Sequence, residues 1–198
     1  MNAAAIPVEL RDRPQWVVWR LEERDGKPTK VPYQAAHPRR NAKADDPATW
    51  GTFDQAIAVD GVDGVGYVFS ADDPYTGIDL DACVDIQTGE LHPDAAEILA
   101  ALDGYQERSP SGAGMHAIVA GRLNGDRNRT GATPWGGVFE VYDRRRFFTV
   151  TGKGAGTIAD RQAQLDELVA RMFGAASRNG AGPSDASQGR SGGVDVQA

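Results

Sequence analysis

Thr76-Gly-Ile-Asp-Leu-Asp81 alternates aliphatic residues with small or acidic ones, a period of two that an extended strand sorts onto two faces. On such a strand Asp79 and Asp81 share one face, while Ile78 and Leu80, with Ala82 beside them, bury the other. Two like charges side by side repel and, left uncompensated, reduce stability. A divalent cation relieves that repulsion, and hard oxygen ligands suit magnesium or manganese. The plain alternative is a solvated strand face, or an edge strand guarded by its charge. The segments downstream weigh against it.

With 198 residues the chain is long enough for one domain with a buried core. It contains no stretch of about 18 apolar residues, so no membrane span is expected. Nor does a basic flank precede an apolar run at the N-terminus, so no secretory signal is expected. The single cysteine, Cys83, excludes an intrachain disulfide and any multi-cysteine zinc site, and fits a reducing cytoplasm. A net charge of −7 argues against coating nucleic acid by charge alone. Positive charge is nonetheless concentrated in Arg122, Arg127, Arg129 and Arg144 to Arg146, which leaves room for a local anion-binding surface.

Along the chain, Gln15 to Leu21 reads as a strand, Asp25-Gly26 as a tight turn, and Lys30 to Tyr33 as the returning strand. Asp46-Pro47 opens a predicted helix that places Trp50, Phe53, Ala56 and Ile57 in the core. Strands are predicted at Val65–Phe69, Met115–Val119, Val138–Tyr142 and Arg146–Thr151, and helices at Pro93–Leu102 (stopping at Gly104) and Ile158–Phe173. Residues 1–174 form the expected domain. From Ala175 onward the chain lacks large apolar residues and is expected to be disordered. Strands and helices mix without a regular βαβ rhythm, which predicts an α+β fold.

Three later segments bear on the acid pair. Ser109-Pro-Ser111-Gly-Ala-Gly114-Met-His116 can turn tightly and present N–H and hydroxyl donors to an anion, with an imidazole close by. Its bland reading is a plain turn and a structural histidine. Glu140 sits inside the apolar run Val138-Phe-Glu-Val-Tyr142, where a carboxylate needs a partner unless that face meets solvent. Arg144-Arg145-Arg146 leads directly into a strand. Arginine forks match phosphate oxygens, although a solvated charge run is the usual meaning of such a triplet.

Taken in order, Gly77-Ile-Asp79-Leu-Asp81, Ser109-Pro-Ser-Gly-Ala-Gly-Met-His116 and Phe139-Glu140 resemble the archaeo-eukaryotic primase superfamily, in its phage and plasmid primase-polymerase branch. Trp16-Val-Val-Trp19, Gly26-Lys-Pro-Thr-Lys-Val-Pro-Tyr33, Trp50 with Phe53, Gly64-Val-Gly-Tyr67 and Arg146-Phe-Phe-Thr-Val-Thr-Gly152 look like that branch too. The resemblance implies a primase-type α+β core with an RRM-like antiparallel sheet and a second small α/β subdomain. It also implies a DNA primase/polymerase that adds nucleotides to a growing strand in phage or plasmid replication, in the host cytoplasm. Asp79, Asp81 and Glu140 would hold two ions, Mg2+ or Mn2+, and no zinc is expected. Catalysis would rest on these acids and His116. His116, Ser111, Gly114 and Arg144 to Arg146 would grip the phosphates of an NTP or dNTP. Lys30, whose plainer reading is a solvated hairpin lysine, is a further candidate for phosphate or template contact.

The implied partners are a single-stranded DNA template and a replicative helicase or accessory domain. Some branches carry a zinc knuckle, which one cysteine cannot build. Priming in the family often needs a helical domain for which the chain has no room. Nucleotide addition is therefore expected ahead of unaided strand initiation. A non-catalytic nucleotide- or DNA-binding module and a two-metal nuclease are the competing readings, and the phosphate-gripping set argues against the nuclease.

Overall fold

Asp25 and Gly26 both take positive φ, 51° and 72°, the type I′ geometry that suits a two-residue hairpin loop. The turn joins β1 (Trp16–Arg24) to β2 (Lys27–Gln34), with Arg24 opposite Lys27. A short helix, α1 (Val8–Arg11), precedes the hairpin. After it come α2 (Phe53–Ile57), β3 (Gly64–Phe69), β4 (Tyr75–Leu80), α3 (Pro93–Leu102), β5 (Tyr105–Arg108), β6 (Met115–Ala120), β7 (Arg129–Ala132), β8 (Val138–Tyr142), β9 (Arg146–Val150), β10 (Gly154–Ala155) and α4 (Gln162–Phe173). This computed structural model describes residues 1–125 and 129–174. Arg127 and the tail from Ala175 onward lie outside the described residues.

The strands form two sheets, of order β2-β1-β3-β9 and β10-β5-β6-β4-β8-β7, and every pairing between them is antiparallel. The α+β class expected from the sequence holds. The smaller layer is an antiparallel sheet accompanied by the single turn of α2. One face of the six-stranded sheet packs Ile78, Leu80, Ala117, Val119, Phe139 and Val141 against Ile98 and Leu102 of α3 and Leu165 and Leu168 of α4. Its other face meets the four-stranded sheet through Tyr105, Ile118 and Tyr142, which join Tyr67, Phe69, Phe148 and Trp16 in a second core. Gly77, on that face, lies so close to Phe69 and Phe148 that a Cβ there would come within 2.5 Å of the Phe69 ring. The glycine in the opening motif thus lets the two sheets approach.

Two predicted helices are shorter than their spacing suggested. Asp46 caps only one 3-10 turn, Pro47–Thr49, because Gly51 pairs with Trp16 through two backbone hydrogen bonds of 2.8 and 3.0 Å. The helix restarts at Thr52 with a reciprocal capping box to Gln55. Phe53 and Ala56 are buried, Trp50 is half-buried, and Ile57 is exposed rather than in the core. Similarly, the stretch before Gln162 runs extended beside β6, held by Ala120 and Arg161 backbone bonds, so Ile158 precedes α4. At the end of α3 it is Asp103, with φ 41°, that takes the left-handed position instead of Gly104.

Candidate active site

The centre of the six-stranded sheet sets a row of ionisable side chains on one face. Asp79 on β4 stands directly opposite His116 on β6 and Glu140 on β8, and Glu107 on β5 stands opposite His116. Directly paired residues share a face and bring their Cβ atoms to about 4.5–5.5 Å. Burial falls along β4 from Gly77, beneath the aromatic core, through half-buried Asp79 to exposed Asp81. The named strand ends at Leu80, but the ladder continues one residue further, because the Asp81 N–H donates to the Val138 carbonyl at 2.9 Å. The Trp135 indole donates to the Asp81 carbonyl at 2.8 Å, which ties down the far side of this turn.

Burial pushes the Asp79 carboxyl up to about 6, and Glu140 and Asp81 add to the shift by repulsion. Lys30 and Arg146 pull the other way. Glu140 accepts a hydrogen bond from the Tyr142 hydroxyl at 2.7 Å, and Arg146 approaches its other oxygen to 3.7 Å while lying over the Tyr142 ring. Among the described residues, no three His, Cys, Asp or Glu side chains come together closely enough to hold a metal ion. What the sheet provides is the Asp79–Glu140 pair, with Asp81 two residues along from Asp79, carboxylates of the hard oxygen type that magnesium and manganese take.

His116 is enclosed, with 6% of its surface exposed. Its ring lies on Phe148 at 4.8 Å, Nδ1 is 3.3 Å from the Thr149 carbonyl, and Nε2 is 3.7 Å from Asp79 Oδ1. Burial lowers its pKa to about 4, so the ring is neutral near pH 7. A carbonyl only accepts, so the Nδ1 contact places the ring proton on Nδ1 and turns Nε2 toward Asp79.

A cleft of about 540 Å³ opens at Asp79 and His116, which line it with Lys30, Arg145, Arg146 and Thr149 among others, whereas Asp81 and Glu140 are not among its lining residues. Lys30 and Arg146 come from opposite edges of the four-stranded sheet, whose curl brings both to one cleft. Lys30 is half-buried rather than a solvated hairpin lysine. Burial lowers its pKa, opposed by Asp79 and Asp81. A second groove, of about 680 Å³, shares Pro28, Lys30 and Thr149 with the cleft and is lined further by Trp19 and Ser111.

The remaining expected residues divide. Arg145, at φ 55°, and Arg146 line the cleft, whereas Arg144 turns to the buried carboxylate of Asp143, at 2.8 and 3.0 Å. Arg122 donates to the Ser70 and Ala71 carbonyls. The arginine-rich stretch is thus not one continuous anion surface. Ser111 lies on the groove, 3.0 Å from the Ser109 hydroxyl. Gly114 is buried, its N–H donates to Ser109 Oγ at 3.2 Å, and a Cβ there would meet the Leu80 carbonyl at 2.9 Å. Close strand packing is a sufficient reason for that glycine. Sequence reasoning missed Thr149 and Glu107. Threonine in a strand carries no signal, but an acid two residues after Tyr105, beside the Ser/Gly loop, was visible.

No family model matches the chain. The DNA Primase-polymerase of Nitratiruptor phage NrS-1 is 33% identical over 163 residues, which cover 81% of this chain. The chain belongs to the primase-polymerase family. It spans about a fifth of that relative, 21% of its length. Among the described residues, no helix is long and apolar enough to cross a membrane.

Proposed function

We propose that this chain is the nucleotidyl-transfer core of a DNA primase/polymerase, extending a strand on a single-stranded DNA template. The observation that carries the reading is Asp79, paired across the sheet with Glu140, lining one cleft with His116, Lys30, Arg145 and Arg146. Acids concentrated on one face opposite basic residues suit a reaction that brings a polyanionic nucleotide to a cation-dependent centre.

In this reading Asp79, Asp81 and Glu140 would hold Mg2+ or Mn2+, two ions in all. Bound there, the ions would lower the pKa of the attacking hydroxyl and neutralise the departing pyrophosphate. Lys30, Arg145 and Arg146 bind the triphosphate oxygens from the opposite wall of the cleft. His116, held by Thr149 and Phe148, presents Nε2 to the same space, and a polyanion placed there favours its protonated, donating form. The strand's 3′-oxygen forms the bond to the α-phosphorus, and the bond to pyrophosphate breaks. The core is read as a primase-type sheet, with a helicase or accessory domain as its partner in phage replication.

The test is extension of a labelled primer on a single-stranded template, with either nucleotide class and with magnesium or manganese. Asp79→Ala/Asp81→Ala runs as the control. Extension by the wild type alone supports the reading, and omitting the primer then tests initiation. A second reading, a module that holds nucleotide without turnover, draws on the absence of three converging ligand side chains among the described residues. It predicts nucleotide binding without extension.

A further inference from the structure

Glu107 stands beside His116 on the acid-bearing face yet lines neither the cleft nor the adjoining groove. It is 3% exposed. A carboxylate so deeply buried requires strong partners. Thr151 N–H donates to Oε1 at 2.9 Å and to Oε2 at 3.1 Å. The Thr151 hydroxyl, the Gly152 N–H and the Tyr105 hydroxyl reach Oε2 at 3.2, 3.0 and 2.8 Å. Apart from Tyr105, these donors belong to the segment just past β9, in the other sheet. His116 makes the same crossing two residues earlier, from Nδ1 to the Thr149 carbonyl. Two polar ties therefore run side by side from paired positions on β5 and β6, one to Thr149 on β9 and one to Thr151 just past its end. β9 is an edge strand of its sheet, and these ties join its end to the other sheet beside the pairing of β10 with β5.

We infer that Glu107 is a positioning residue, which clamps the end of β9 so that the Thr149 carbonyl holds His116 with its proton on Nδ1 and Nε2 toward Asp79. The consequence for nucleotide binding rests on the reading of His116 as a phosphate contact. Glu107→Gln keeps the shape but replaces one acceptor oxygen with an amide that faces the same donors. The clamp loosens, and the imidazole loses its fixed partner.

Two readouts separate this from a purely structural role. The ring 15N shifts of His116 report its tautomer whether or not the protein is an enzyme. The wild type should show the Nδ1-protonated form, and Glu107→Gln a mixture of both. Binding of a fluorescent nucleoside triphosphate should weaken about 5-fold in Glu107→Gln, the equivalent of one ordinary hydrogen bond. That loss should vanish in a His116→Ala background, since coupled residues are non-additive. An unchanged tautomer in a folded Glu107→Gln protein overturns the proposal, and so does a loss of affinity that persists in full without His116. If His116→Ala alone leaves nucleotide affinity unchanged, the phosphate-contact reading fails, and the tautomer measurement still decides the role of Glu107. Should Glu107→Gln not fold, Glu107→Asp, which keeps the charge and shortens the reach, carries the same tautomer and binding tests.

Discussion

The two faces of the six-stranded sheet are made from alternate residues of the same strands, and they do opposite things. Ile78, Leu80, Phe139 and Val141 are wholly buried against α3 and α4. One residue away, Asp79 stands opposite Glu140, and burial together with the repulsion of Glu140 and Asp81 pushes the Asp79 carboxyl up to about 6. A face that repels itself can exist because the opposite face of the same strands supplies apolar burial. Stability and chemistry are divided here by the period of a strand rather than by region of the chain.

The largest break in this comparison should come from the apolar face. Phe139→Ala is expected to cost about 3–5 kcal/mol, read by chemical denaturation, which is a large part of a domain's stability. On the other face the sign reverses. Because the folded-state pKa of Asp79 is raised, its contribution is fully present below the usual carboxylate range and is lost as pH rises through about 6. Asp79→Asn should therefore be more stable than wild type at about pH 8 without divalent cations, by at most about 3 kcal/mol, with the gain disappearing near pH 4.

His116 runs the opposite way. Its pKa is depressed to about 4, so its contribution is present above the usual histidine value and lost as pH falls through about 4. His116→Gln should gain on wild type, in denaturation midpoint, as the medium is acidified across that window. In the wild type the two trends oppose each other, so its stability should change less between about pH 6 and 4 than that of either variant.

A smaller effect sharpens the division among the arginines. Arg146→Ala should weaken nucleotide binding about 10-fold, as expected for one charge-assisted contact, and Arg144→Ala by no more than about 2-fold. Arg144→Ala should instead lower the melting temperature, because the buried Asp143 carboxylate loses a partner. Equal losses of binding in the two variants would contradict the assignment.

What was legible in the sequence was what short-range patterns encode. The period of two around Asp79 and Asp81 and the Asp25-Gly26 turn need no distant information. The register that sets Glu140 and His116 on either side of Asp79 was not legible, and only the family resemblance implied that these residues act together. Contacts made by distant segments left no local trace. Gly51 breaks the predicted helix because it pairs with Trp16, 35 positions earlier. Lys30 reaches the cleft because its sheet curls, which no residue of the hairpin announces. Glu107 takes its meaning from Thr151 and Gly152, 44 and 45 residues away just past β9. The arginine triplet looked uniform, and only the buried Asp143 separates Arg144 from its neighbours.

The central claim is that the repelling face exists to receive cations, and binding of Mn2+ to the folded protein tests it most directly. Calorimetric titration of the wild type should show saturable binding, and Asp79→Asn/Asp81→Asn should weaken it by at least about 10-fold while the melting transition remains cooperative. Equal Mn2+ affinity in the wild type and a folded double variant would contradict the account.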